Sequence, residues 1–213
     1  NVSYGLQGRL AVGYCSSLMS GNLKLAFSDY LVKFPEVQFN GIEGSPERII
    51  HGLQSQTIDV GVAPIGFVEE GLSSKPLWSE RLFVALLDNN ELLAKDRIYW
   101  QDLRCEVFVV SGNGIGPILG NLISARLTEQ GFRPAVIYQD ASPESVLSMI
   151  AAKRFISIAT EASQGVPWQD LHFREIYDAT GPARLEYALD WRADNDNPAL
   201  KRFFKLIEER YPG

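Results

Sequence analysis

The sequence predicts an α/β fold built in two similar halves. Three observations carry that expectation. Short apolar runs of strand character alternate with longer stretches whose apolar residues recur every three or four positions. Serine, asparagine and proline stand where those longer stretches begin, as helix-start signals do. The β-α-β order occurs in both halves as a shared layout, without residue-level repetition.

The elements follow in chain order. Arg9–Tyr14 is a short apolar run suited to a buried parallel strand. Ser16 or Ser17 is placed to cap the next helix, whose apolar face is read as Leu23, Phe27, Tyr30, Leu31 and Phe34, with Pro35 as its stop. Val37–Asn40 alternates as a strand. Ser45-Pro46-Glu47 then has the grammar of a helix start: a capping hydroxyl, a proline at the first helical position and an acid at the positive end of the dipole. Ile49, Ile50 and Leu53 are its buried face, and Ile58–Ala63 is a third strand, with right-handed crossovers expected. Arg81–Leu87 is a strand that leaves the first half, broken by Asp88-Asn89-Asn90.

The second half reads the same way. Glu106–Val110 is a buried strand, and Ser111–Pro117 is a glycine-rich loop, read as flexible. The helix after it carries Leu119, Leu122, Ile123 and Leu127, with Gly131 as a left-handed cap. Ala135–Tyr138 is a strand. Ser142-Pro143-Glu144 opens a helix with Val146, Leu147, Met149 and Ile150 inward, and Phe155–Ala159 is the strand after it. Leu185–Trp191 is strand-like, and Asn197-Pro198 caps a last helix bearing Phe203, Phe204 and Ile207.

Composition narrows the function classes. The chain has 213 residues, 46% hydrophobic and 22% charged, in the ordinary globular range. Its 20 basic and 26 acidic residues leave a net charge of −6, the wrong sign for gripping nucleic acid. No apolar run approaches the roughly 20 residues of a membrane-spanning helix. Cys15 and Cys105 are expected as reduced, buried thiols of a cytoplasmic protein. The first residues, Asn1-Val2-Ser3, lack an initiator Met, and an upstream segment is expected.

Motifs for chemistry are missing. The stretch from Ser111 to Gly116 fits neither the dinucleotide fingerprint nor a phosphate loop. His51 and His172 have no partner at metal spacing, and there is no nucleophile elbow. Glu43, Asp59, Asp140 and Glu161 lie near strand ends but form no legible catalytic pair. Small polar groups recur at helix starts: Ser16, Ser17, Ser45, Asn113 and Gly114. Such N-termini offer unpaired N–H groups to an anion such as a carboxylate, although each residue read alone is simply a cap. No catalytic residue, cofactor or metal is expected.

The order of several segments resembles the effector-binding domain of LysR-type transcriptional regulators. They are Gly8–Gly13, Phe34–Val37, Glu43-Gly44, Gly52-Leu53 with Ile58–Val62, Leu77–Leu82, Gln130–Pro134, Ala188–Arg192, and Asn197-Pro198 with Phe203. The chain departs from that pattern at Asn90-Glu91-Leu92, Lys153-Arg154-Phe155 and Thr160-Glu161. The resemblance implies a periplasmic-binding-protein-like (type 2) fold, with two Rossmann-like lobes joined by crossover strands near Phe83–Asp88 and Leu185–Asp190. Lobe I is expected at 1–86 plus 188–213 and lobe II at 87–187. It implies a small metabolite effector, typically carboxylate-bearing, in the interlobe cleft, a homodimer or tetramer with a contribution from the first helix (Phe27 to Phe34), and DNA contact only through an N-terminal domain outside this chain. It implies effector contacts at Cys15, Ser16, Ser17, Leu18, Gly44, Ser45, Pro46, Ala63, Pro64 and Ile65 in the first lobe. In the second it implies Ser111, Asn113, Gly114, Ile115, Thr160 and Glu161, with Phe83 and Tyr187 beside the crossings. The competing readings are a secreted solute-binding protein and an enzyme on the same scaffold.

Overall fold

A computed structural model describes residues 8–66, 69–150 and 155–211. In chain order the elements are β1 (Arg9–Tyr14), α1 (Gly21–Lys33), β2 (Gln38–Glu43), α2 (Pro46–Gln54), β3 (Val60–Pro64), β4 (Leu72–Leu87), β5 (Ile98–Tyr99), β6 (Val107–Ser111), α3 (Gly116–Glu129), β7 (Ala135–Gln139), α4 (Pro143–Ile150), β8 (Ser157–Thr160), β9 (Leu171–Asp178), β10 (Gly181–Pro182), β11 (Arg184–Arg192) and α5 (Pro198–Arg210). The fold is mixed α/β, as the patterning predicts. The chain divides into two compact units, Asn1–Ser79 with Glu186–Gly213, and Glu80–Leu185.

In unit 1, β1 is central to a parallel set, β2-β1-β3, and β11 adds antiparallel to β3. The strands β1 and β3 are apolar along almost their whole length because both faces are covered. The caps behave as local chemistry dictates. Ser45 Oγ accepts from Arg48 N–H at 3.4 Å and Pro46 opens α2. Asn197 Oδ1 accepts from Ala199 N–H at 2.9 Å and Pro198 opens α5. Tyr30 and Phe203 meet edge to face at 5.4 Å, which joins α1 to α5.

Unit 1 departs from the sequence expectation at three places. Helix α1 starts at Gly21, and Ser17 does not cap it: its hydroxyl accepts from Met19 N–H and closes a turn before the helix. Leu31 faces outward at 45% exposure, because the buried stripe is Leu23, Ala26, Phe27 and Tyr30. The third strand begins at Val60 rather than Ile58. Asp59 is turned instead to accept from Ala11 N–H at 2.8 Å and from the Asn195 and Asn197 amides at 3.2 Å each.

In unit 2, β6 and β7 pair in parallel, and Phe108 bridges Ile156 ahead of β8. β8 and β9 flank β4, both antiparallel to it. The core there gathers Ala85, Val109, Val146, Leu147, Ile150 and Ala159. Gly131 adopts φ +82 and ends α3 as predicted. Met149 is exposed rather than inward, since α4 buries Val146, Leu147 and Ile150. Cys105 is exposed, against the expectation of two buried thiols; only Cys15 is buried.

Candidate functional site

The register of unit 1 sets where its loops leave. Tyr14 pairs with Glu43 on β2 and with Val62 on β3, so the loops after all three strands emerge along one carboxyl-end edge. Open α/β sheets bind ligands at such edges. The edge carries Cys15–Leu18, Gly44–Pro46 and Ala63–Ile65, which sequence reasoning had only in series.

Their states differ. Cys15 is 1% exposed, and burial, with Glu47 and Glu43 adding to it, pushes its thiol up to about 12. It is a neutral wall group and no nucleophile at neutral pH. Ser16 and Pro46 are buried, Ser17, Leu18, Gly44 and Ser45 are half-buried, and Ile65 is exposed. Ala63 and Pro64 are buried strand residues, and Ile65 N–H donates to Glu186 O at 2.8 Å. Tyr187 pairs with Pro64 across the strands and is fully buried, its ring stacked on Trp78 at 6.4 Å. It stands beside Pro64, where β3 ends. At the start of α2 the Ser45 hydroxyl takes one N–H, and the remaining first-turn donors and the dipole give the positive end of the helix.

Unit 2 has an edge of its own. β6, β7 and β8 end there at Ser111, Gln139 and Thr160, and antiparallel β4 passes the same edge at Arg81–Phe83. The Ser111 hydroxyl accepts from Asn113 N–H at 2.9 Å and donates to Ala141 O, so it fastens the loop. Gly116 packs on it so closely that a Cβ would stand 2.0 Å from Ser111 O. The glycine-rich stretch is therefore a packed turn, which corrects the flexible loop read from glycine content. Asn113 is exposed and donates to Asp140 at 3.1 Å, Gly114 has φ +57, and Ile115 is buried. Thr160 is buried, and Glu161 accepts from Arg81 Nε at 2.7 Å.

Arg81 is the residue that sequence reasoning missed. It also lies 3.5 Å from Glu175, and its guanidinium stands over the Phe83 ring at 5.4 Å. Tyr177 OH donates to the same Glu175 at 3.0 Å. No spacing signals this group, because Arg81, Glu161 and Glu175 come from three separate segments. His51 is exposed on α2, and His172 pairs with Asp88. Among the described residues no group of three or more His, Cys, Asp or Glu could hold a metal ion, and no helix is long and apolar enough to cross a membrane.

The sequence profile of the LysR substrate binding domain matches residues 3–212. The chain belongs to the LysR substrate-binding domain family. The LysR domain shares 24% identity over 202 residues with the HTH-type transcriptional regulator AlsR of Bacillus subtilis, covering 95% of this chain and 66% of AlsR. It shares 23% with ClcR of Pseudomonas putida, covering 98% of this chain and 70% of that regulator. The chain thus spans about two thirds of the length of these curated relatives. Among solved structures, CbnR, a LysR family transcriptional regulator, aligns with TM-score 0.81 at 18% identity, covering 97% of this chain and 71% of CbnR. The BenM effector binding domain with its effector benzoate aligns with TM-score 0.80 at 18% identity, covering 97% of this chain and 93% of that one. This LysR domain therefore has the fold of effector-binding domains, mixed α/β and periplasmic-binding-protein-like.

Proposed function

We propose that this LysR domain is the sensor of a cytoplasmic transcriptional regulator, and that it binds a small carboxylate-bearing metabolite without altering it. The observation that carries the reading is the alignment of three loops on the carboxyl-end edge of unit 1, with the positive end of α2 among them. Ser45 and its neighbouring amides supply donors for a carboxylate, and Cys15 to Leu18 with Ala63 to Ile65 supply walls. BenM's effector, benzoate, is itself a carboxylate. On unit 2, Asn113, Gly114, Thr160 and Glu161 form a second set at the strand ends, with Phe83 under Arg81.

In the full regulator DNA contact belongs to a separate N-terminal domain, and regulators of this type act as dimers or tetramers. Leu25, Leu31 and Val32 on the outer face of α1 are the groups offered to a second copy, rather than Phe27 and Tyr30, which are buried. The effector acts by population shift: it changes transcription only to the extent that it prefers one conformation over another.

A Ser45→Asp substitution tests the site. Aspartate caps a helix as well as serine does, so folding is retained. The added charge stands where the ligand carboxylate docks. Thermal unfolding of the parent chain against a panel of small organic acids is expected to identify a stabilising acid. The variant should unfold at the parent's temperature yet lose that stabilisation. Undiminished stabilisation of Ser45→Asp by the same acid would overturn the assignment.

A further inference from the structure

We propose that unit 2 holds a second binding site, for a small organic cation, in a cavity at the edge of its sheet opposite the Ser111–Thr160 edge. The cavity has a volume of about 520 Å³, within the usual range for small-molecule pockets. Its position follows from the strands. Leu87 ends β4 and pairs with Leu171, the first residue of β9; Glu106 precedes β6; Phe155 lies just ahead of β8. This is the edge where β6, β8 and β9 begin and antiparallel β4 ends, whereas Ser111 and Thr160 stand where β6 and β8 end.

The lining specifies the ligand's charge. Among the described residues two cations border the cavity, and both are held. Lys95 pairs with Asp102 at 2.8 Å. Against the upward push of burial, that ammonium and the Tyr99 N–H keep the Asp102 carboxyl below its ordinary value. Arg104 donates to Gln101 O at 2.9 Å and stands over the Phe132 ring. Three carboxylates also border it: Asp102 is taken by Lys95, whereas among the described residues Glu91 and Glu106 have no ion-pair partner. Burial, and Glu91 nearby, raise the Glu106 carboxyl above its usual range. A cation between the two relieves both the desolvation and the mutual repulsion. Leu87, Leu92 and Phe155 supply apolar wall for a hydrocarbon portion, and Asn89 and Asn90 supply amides. The lining therefore fits an alkyl- or arylalkylammonium ion better than a carboxylate.

Cys105 on the cavity wall is a built-in reporter. It is exposed, while Cys15 is buried with its thiol pushed up to about 12, so a neutral thiol reagent reads Cys105 first. The experiment follows the reaction of dithiodipyridine with the intact chain in the presence of butylamine, benzylamine or 1,4-diaminobutane. Butyrate, benzoate and sodium chloride at matched ionic strength are the controls. At least one amine is expected to slow the reaction several-fold and saturably, with the controls inert. The Glu91→Gln/Glu106→Gln variant should lose that protection, and Ser45→Asp should keep it, so this site and the effector site fail independently. Thermal unfolding of Cys105→Ser with the same amines gives a second readout, in which stabilisation must again require the two glutamates. Protection by carboxylates instead of amines, by no probe at all, or equally in the glutamine variant would each overturn the proposal.

Discussion

At the scale of single residues, several side chains that look available in the sequence are consumed by the fold. Asp59 ties β1 to the approach of α5, Ser111 fastens a turn, and Glu161 answers Arg81. Gly116 shows how tight one such turn is. A methyl there meets Ser111 O, which is backbone and cannot swing away, whereas a methyl at Gly120 meets the Tyr138 hydroxyl at 2.3 Å, the end of a half-exposed side chain. Gly116→Ala is therefore expected to cost about 1–3 kcal/mol, the range of overpacked sites, and Gly120→Ala less. Urea unfolding of the two variants checks the order. An equal loss would mean that the β6–α3 turn relaxes as readily as a side chain.

At the scale of elements, β11 carries a titration written into the sheet. Asp190 is 6% exposed, burial raises its carboxyl above the ordinary value, and a Ser74 hydrogen bond only partly opposes this. Well below the ordinary carboxylate range the group is neutral in both folded and unfolded chains and carries no ionisation penalty. As pH rises through the raised folded value, the unfolded chain ionises freely while the folded chain must bury the charge, so stability is lost. Asp190→Asn removes that penalty. Its melting temperature relative to the parent should rise from acid toward neutral pH; a difference that stays constant with pH would rule out ionisation as the cause. Helix elements were legible where their caps are local: Ser45-Pro46, Ser142-Pro143 and Asn197-Pro198 each open a helix as predicted. The start of α1 was not legible: Ser16 and Ser17 read as caps, but a turn closed on Met19 delays the helix until Gly21, after Ser20.

At the scale of the whole molecule, charge sets what the chain does alone. With 20 basic against 26 acidic residues, it lacks the surplus of cations that phosphate neutralisation demands. The isolated chain is expected to leave the fluorescence anisotropy of a labelled DNA duplex unchanged, even at low salt. A salt-dependent rise would place DNA contact within this domain and contradict its reading as a sensor. The candidate effector edge was partly legible at this scale: parallel strands joined by helices send their successive loops to one edge, so loops that are distant in sequence come together.

The sequence by itself determined the α/β class, most helix starts, the family and the three loops of the unit 1 edge. Each of these rests on local periodicity, on caps a few residues long or on an ordered series of segments. Only the tertiary structure decided which polar groups the fold itself consumes. The Ala11–Asp59 and Arg81–Glu161 partners are 48 and 80 positions apart, and strand register alone brings them together. The same holds for Cys105 and the cavity beside Glu91 and Glu106. A thiol's exposure and a cavity's lining are properties of several segments packed together, and no window along the chain contains them.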